Sequence, residues 1–80
     1  MTHELDTSGL RCPLPVLRAR KRLLAEVAPG ELLRVRATDP AAPNDLRAFC
    51  EAGGHELIDS HTEAGADGPV FVLTIRRAAD

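Results

Sequence analysis

The chain has 80 residues, enough for one small domain and too few for two, and a domain of that size buries only about 60% of its unfolded surface. Hydrophobic residues make up 44% and charged residues 28%, a balance that excludes a disordered chain. Ten basic against twelve acidic residues give a formal charge of −2, so there is no global positive field for a nucleic acid, and no stretch approaches the roughly 20 apolar residues of a membrane span.

The opening residues "MTHELDTSG" contain neither a positive leader nor an apolar run, and a cytoplasmic location is expected. Residues 3–6 read as a short edge-like strand followed by a turn. Residues 13–27 read as a helix, with Val16, Leu17, Leu23, Leu24 and Val27 on its apolar side. "APGE" ends that helix through Pro29 and Gly30. Residues 32–38 alternate: Leu33, Val35 and Ala37 point one way, and Leu32, Arg34, Arg36 and Thr38 the other, as in a strand with one buried face. "TDPAAPND" reads as a loop into a second helix ending near residue 52, with Leu46, Phe49 and Cys50 on its apolar face and Gly53 or Gly54 as a left-handed cap. Two strands follow, at 56–62 and 70–76, joined by the glycine-containing loop "EAGADG".

A strand–helix–strand unit makes its strands parallel with a right-handed crossover, whereas the last pair is antiparallel. The order βαβαββ therefore predicts a two-layer α/β sandwich: a four-stranded mixed sheet with both helices on one face, forming a single domain over residues 1–80.

The two cysteines, Cys12 and Cys50, are too few for a disulfide-framed secreted domain. Cys50 falls at helical spacing with Leu46 and Phe49 and reads as core. Cys12 precedes Pro13, and a residue before proline is pushed into the extended conformation that a helix cap needs. Pro13 then takes the first helical position and Pro15 the third, both tolerated within the first turn. Pro15 has no N–H, so Leu14 N–H is left as the donor for the sulfur, with Val16 N–H slightly beyond. The helix dipole, with Arg11 alongside, favours a negative sulfur. The expectation is a thiolate of lowered pKa, exposed and sparsely hydrogen-bonded.

"GLRCPLPVLRARK" resembles the Cys-Pro-x-Pro signature of the TusA/SirA family of small sulfur-carrier proteins. "PGELLRV", "TDPA", "DLRAFCEAGGHEL" and "FVLTIRR" resemble its later landmarks in the same order, so the likeness covers nearly the whole chain. It implies the same βαβαββ sandwich. It also implies that Cys12 accepts sulfane sulfur as a persulfide from a cysteine desulfurase or rhodanese-like donor. Cys12 would then pass it to a protein acceptor in tRNA thiolation, molybdenum-cofactor assembly or sulfur oxidation. Many members carry Glu between the prolines, where this chain has Leu14; that removes an anion beside the sulfur and leaves an apolar side chain for docking.

Other residues carry weaker expectations. Arg20 falls within the apolar stripe, where it either snorkels or joins Arg11 and Lys21 in a basic collar near Cys12 for an acidic patch on the donor. Asp39, before Pro40, either caps a turn or contacts a partner. His3, His55 and His61 lack metal-ligand spacing, the latter two sharing a strand face too far apart to chelate. No metal or cofactor is expected, nor direct nucleic-acid binding, and the free protein is expected to be a monomer. Two rival readings are a regulatory or binding module that only presents the Cys-Pro-x-Pro turn, and a redox switch that would need an exposed Cys50.

Overall fold

The computed structural model describes residues 2–79. Its elements are β1 (Thr2–Thr7), α1 (Leu14–Glu26), β2 (Leu32–Ala37), α2 (Ala42–Gly53), β3 (Glu56–Gly65) and β4 (Gly68–Arg76). The sheet order is β1-β2-β4-β3, with β1 parallel to β2 and the β2–β4 and β3–β4 pairs antiparallel. α1 lies on β1 and β2, α2 lies on β3 and β4, and the helices touch each other, so both cover one face of the sheet. This is the expected two-layer sandwich.

The alternation of β2 sets the core. Leu33, Val35 and Ala37 are completely buried and meet Leu73 and Ile75 of β4, with Ala19 and Leu23 of α1, Val27 just past its end, and Ala42, Leu46 and Cys50 of α2 packed above them. Fully burying a Leu or Ile side chain stabilises by about 1.5–3 kcal/mol, and in so small a domain few such residues carry the fold.

The buried face of α1 differs from the expected one. Pro15, Ala19, Leu23 and Val27, four residues apart, point inward with Val16 partly covered, while Leu17 and Leu24 are 51% and 47% exposed. Ala19 explains the rotation: with almost no side chain it admits the close approach of sheet and α2, which a count of large apolar residues overlooks. At the far end, Arg77 caps α1 by donating from Nη1 to Val27 O at 2.7 Å, occupying a carbonyl that the helix leaves unpaired.

The last two strands are longer than expected. Gly65 pairs with Gly68, so only Ala66 and Asp67 form the turn and most of "EAGADG" is strand. A Cβ on Gly65 would sit 2.7 Å from Gly68 O, which is why this tight closure takes glycine. A register shift between Leu57 and Asp59 turns the strand over. Leu57 packs against the core, Asp59 and His61 face outward, and His55 stacks on Phe49 at 5.4 Å before the strand begins. The expected common face for His55 and His61 is therefore absent. On the outer face the arginines are paired rather than merely solvated: Arg34 with Glu4, Arg36 with Glu63 and Arg76 with Glu56.

Parallel β1 and β2 end at the same edge of the sheet, and antiparallel β4 starts there. The loops at 8–13 and 38–41 and the β3–β4 turn are thus neighbours. In open α/β sheets, the carboxyl ends of parallel strands are where ligands and partners are met.

Candidate functional site

The loop at 8–13 is held by a short series of hydrogen bonds. Thr7, fully buried, donates from Oγ1 to Arg36 O at 2.6 Å and ties the end of β1 to β2. Ser8 N–H donates to Asp6 Oδ1 at 2.9 Å, and Leu10 N–H to Thr7 O at 3.1 Å, a tight turn that passes through Gly9 at φ +82°. Gly9 N–H donates to Thr38 Oγ1 at 2.9 Å, and Cys12 N–H to Asp39 Oδ2 at 2.5 Å. The cysteine turn is therefore latched to the β2–α2 loop at two points.

The start of α1 is offset from the expectation. Pro13 is the cap residue, Leu14 the first helical residue and Pro15 the second; the Cys12–Pro13 peptide is cis. Cys12 thus lies one residue outside the helix instead of capping it. Leu14 N–H, expected to serve the sulfur, turns back to Arg11 O at 2.8 Å. Pro15 is buried, so it anchors the turn by packing as well as by lacking a donor. Cys12 and Leu14 are exposed, as expected.

Asp39 joins the two loops. Oδ2 accepts from Cys12 N–H and Oδ1 from Ala41 N–H at 3.1 Å, at the entrance to α2. These two backbone donors, with the nearby charge of Arg11, hold its carboxyl below the usual aspartate range. Asp39 does cap a turn, but the same carboxylate grips the Cys12 backbone. It serves the site from within, with both oxygens engaged.

The carboxylates around Cys12 act against the expected lowering of its pKa. The Asp45 carboxylate, in the first turn of α2, pushes the pKa of the Cys12 thiol up. Desolvation and the charges of Asp45 and Asp39 act in the same direction. A carboxylate beside a thiol favours its neutral form. The α1 dipole is weakened as a counterweight because the sulfur stands beyond the cap. Asp45 is a residue near the candidate site that the sequence pattern did not single out. Its signal was present: an acid at the start of a helix that leaves the same sheet edge as Cys12.

Cys12 lines a shallow cleft of about 650 Å³ with residues 9–11 and 38–41. A second cleft shares Gly9 and Thr38 and runs on to the β3–β4 turn at 65–70, so the depression follows the whole edge. Arg11 is part of this site. Arg20 and Lys21 are not: exposed on α1, they flank another surface with Leu17, Leu24 and Ala25, about two turns from the helix start. The basic collar around the sulfur does not form. Arg20 does not snorkel within the buried stripe either, because the stripe lies on a different side of α1. Cys50 is 3% exposed, and burial alone pushes its thiol pKa up.

A family model described as sulfurtransferase TusA matches residues 3–77. The chain belongs to the TusA family. A putative sulfur carrier protein of Neisseria meningitidis is 47% identical over 72 residues, 90% of each chain. The sulfur carrier protein TusA of Allochromatium vinosum is 52% identical over 62 residues, covering 78% of this chain and 80% of that protein. The Pseudomonas aeruginosa TusA is 42% identical over an 84-residue alignment spanning both chains completely. The crystal structure of a SirA-like protein from Desulfitobacterium hafniense superposes with a TM-score of 0.70 at 25% identity, covering 96% of this chain and 99% of that one. The TusA fold is thus the βαβαββ sandwich described above.

Proposed function

We propose that this TusA-family chain is a sulfur carrier in which Cys12 takes sulfane sulfur as a persulfide from a protein donor and hands it to a protein acceptor. The observation that carries this reading is the display of Cys12: an exposed thiol on a turn latched by Thr38 and Asp39, beside an open cleft at the sheet edge. Relatives bearing the name sulfur carrier protein support it. A cysteine desulfurase or a rhodanese-like protein would supply the sulfur. tRNA thiolation, molybdenum-cofactor assembly and sulfur oxidation are the classes of acceptor pathway. A reducing cytoplasm suits a carrier that must keep a free thiol. Among the described residues no helix is long and apolar enough to cross a membrane.

The chemistry is thiol–persulfide exchange and involves no net oxidation. The Cys12 thiol loses its proton to solvent, and the thiolate attacks the terminal sulfur of the donor persulfide. An S–S bond forms at Cys12, the donor's S–S bond breaks, and the donor cysteine leaves as a thiolate that then takes up a proton. In delivery an acceptor nucleophile attacks the terminal sulfur and Cys12 leaves as thiolate. The turn fixes where the sulfur is presented, so the encounter does not need to order a mobile loop.

The test is incubation with a cysteine desulfurase and cysteine, followed by intact mass measurement. Wild type should gain one sulfur atom, Cys50→Ser should gain it too, and Cys12→Ser should not. Sulfur retained by Cys12→Ser would remove Cys12 from its role.

A further inference from the structure

We propose that the sheet edge beyond Cys12 is a peptide groove. The partner presents its cysteine on an extended segment that runs from Cys12 to the β3–β4 turn, where a lysine or arginine of that segment meets Asp67. The proposal rests on Cys12 being the sulfur-bearing nucleophile and names the shape and charge of the segment it exchanges with.

The groove follows from the topology. The cleft beside Cys12 and a second cleft of about 470 Å³ share Gly9 and Thr38, so they form one depression across the ends of β1 and β2 to the start of β4. Gly9 N–H donates to Thr38 Oγ1 at 2.9 Å, which fixes the saddle where the two clefts meet. A Cβ added at Gly9 or at Gly68 would meet nothing within 4 Å, so open space lies over the backbone at the saddle and again at the turn. Ser8 and Ala66, which also line the second cleft, are small and exposed. Little side-chain bulk therefore stands where a second main chain would lie.

Sulfur exchange calls for such a chain. The Cα atoms of a disulfide stand about 5.5–6 Å apart, and a sulfur in transit between the two cysteines adds about 2 Å. The partner must bring its backbone, and not only a side-chain tip, to within roughly 8 Å of the Cys12 backbone. The groove continues from that point in one direction along the edge.

Charge supplies the second anchor. Arg11 and Asp39 flank Cys12, and Asp39 has both oxygens on backbone N–H groups. Asp67 is exposed in the turn at the other end. In the order β1-β2-β4-β3 that turn lies two and a half strand spacings from β1, about 12 Å at roughly 4.8 Å per spacing. An extended chain covers this distance in about four residues at roughly 3.3 Å each. The cation therefore belongs about four residues from the partner's cysteine.

The test uses two peptides, Cys-Gly-Ala-Gly-Lys and Lys-Gly-Ala-Gly-Cys, each with its cysteine as a 2-pyridyl disulfide. The 2-pyridyl disulfide of N-acetylcysteine amide is the small reference. The Cys12 thiolate attacks the peptide sulfur, an S–S bond forms between them, the pyridyl S–S bond breaks, and pyridine-2-thione leaves. Thione absorbance gives the rate, and peptide mapping scores Cys12 and Cys50 separately. In wild type at low salt one of the two peptides should react with Cys12 about tenfold faster than the reference. A ratio near one for both peptides overturns the proposal and needs no variant. Ala66→Trp fills the groove at the turn and should bring the ratio down to near one, whereas Leu24→Asn, on the exposed face of α1, should keep it. The reverse pattern seats the peptide on α1 and overturns the proposal. Asp67→Asn should slow the lysine peptide about two- to fivefold, the scale of one exposed ion pair, and leave a peptide with Gln in place of Lys unchanged. Equal slowing of both removes Asp67 as the anchor. None of these rates involves sulfur transfer. A wild type that shows the peptide ratio but gains no sulfur from a desulfurase sinks the carrier reading and leaves the groove in place.

Discussion

The two cysteines have thiol pKa values raised in the same direction for opposite reasons. Cys50 is raised by burial beneath α2, and a buried sulfur has no route to a partner. Cys12 is raised by carboxylates while remaining open to solvent. The first cause is removed only by unfolding, whereas the second is removed by changing one side chain or by bringing up a positive charge. A displaced pKa therefore does not separate a structural cysteine from a working one; the identity of the group that displaces it does.

The largest expected effect breaks this comparison directly. In native protein at neutral pH, iodoacetamide should modify Cys12 and leave Cys50 untouched, whereas both should react once the chain is unfolded in guanidinium. Protection of Cys50 should follow the folding equilibrium, which for a domain of this size spans several powers of ten. Equal native labelling of the two cysteines would mean that Cys50 is not the core residue its position indicates, and would reopen the redox-switch reading.

Next in size is Leu46→Ala. Leu46 is fully buried one turn before Cys50 on the same face of α2. Its truncation should destabilise the fold by about 2–5 kcal/mol. Labelling of Cys50 should accelerate by the same free energy, because it proceeds through the open state. The rate at Cys12 should change little, since Cys12 reacts without unfolding. Urea denaturation gives the stability and peptide mapping gives the two rates. A parallel acceleration at Cys12 would show that its turn depends on the core more than on its latches.

How much of this could be read from the residues follows a physical line. The alternation of β2 identified Leu33, Val35 and Ala37 as core, and it also left the sheet one polar face, which placed both helices together. Cys50 with Leu46 and Phe49 was legible for the same reason: burial patterns are local and periodic. The buried face of α1 was misjudged because Ala19 contributes by being small, which a search for large apolar residues does not reward. Asp45 was missed because its effect on Cys12 crosses between elements. The parallel β1–β2 pairing was already expected, and it places the starts of α1 and α2 at one edge. The acid was therefore within reach of a topological argument although outside any local one.

Smaller again is the acid response of the latch. Asp39 has a lowered pKa in the folded chain, so its contribution is present above the unfolded value and is lost as pH falls through the folded one. The amide resonances of Cys12 and Ala41 should both titrate with a midpoint below the ordinary aspartate range, because each N–H faces one oxygen of the same carboxylate. Cys50 should not sense this transition. Asp39→Asn can satisfy only one of the two donors, and sulfur loading should fall by roughly tenfold as the turn loosens. If loading is unchanged and only the Ala41 resonance moves, Asp39 is a turn cap alone.

The smallest effect lies on the outer face of the sheet and serves as a control for both thiols. On the outer face, His61 places Nδ1 2.6 Å from Asp59 Oδ2 and Nε2 3.0 Å from Glu63 Oε2, while Arg36 holds the other oxygen of Glu63 at 2.8 Å. The two carboxylates raise the His61 pKa, Glu63 more than Asp59. A raised histidine contributes stability that is complete below its unfolded pKa and is lost as pH rises through its folded one, so the outer face should loosen slightly on the alkaline side of neutrality. These groups are exposed and the gain is correspondingly small. His61→Gln should flatten the difference in melting temperature between about pH 5.5 and pH 8.5, both conditions straddling the ordinary histidine pKa of about 6.5. The alkylation profile of Cys12 should not move in this variant, because Asp45 and Asp39 dominate at its own edge. A shifted Cys12 profile in His61→Gln would show that the thiol responds to the charge of the whole sheet, and the contrast between a locally restrained cysteine and a buried one would have to be redrawn.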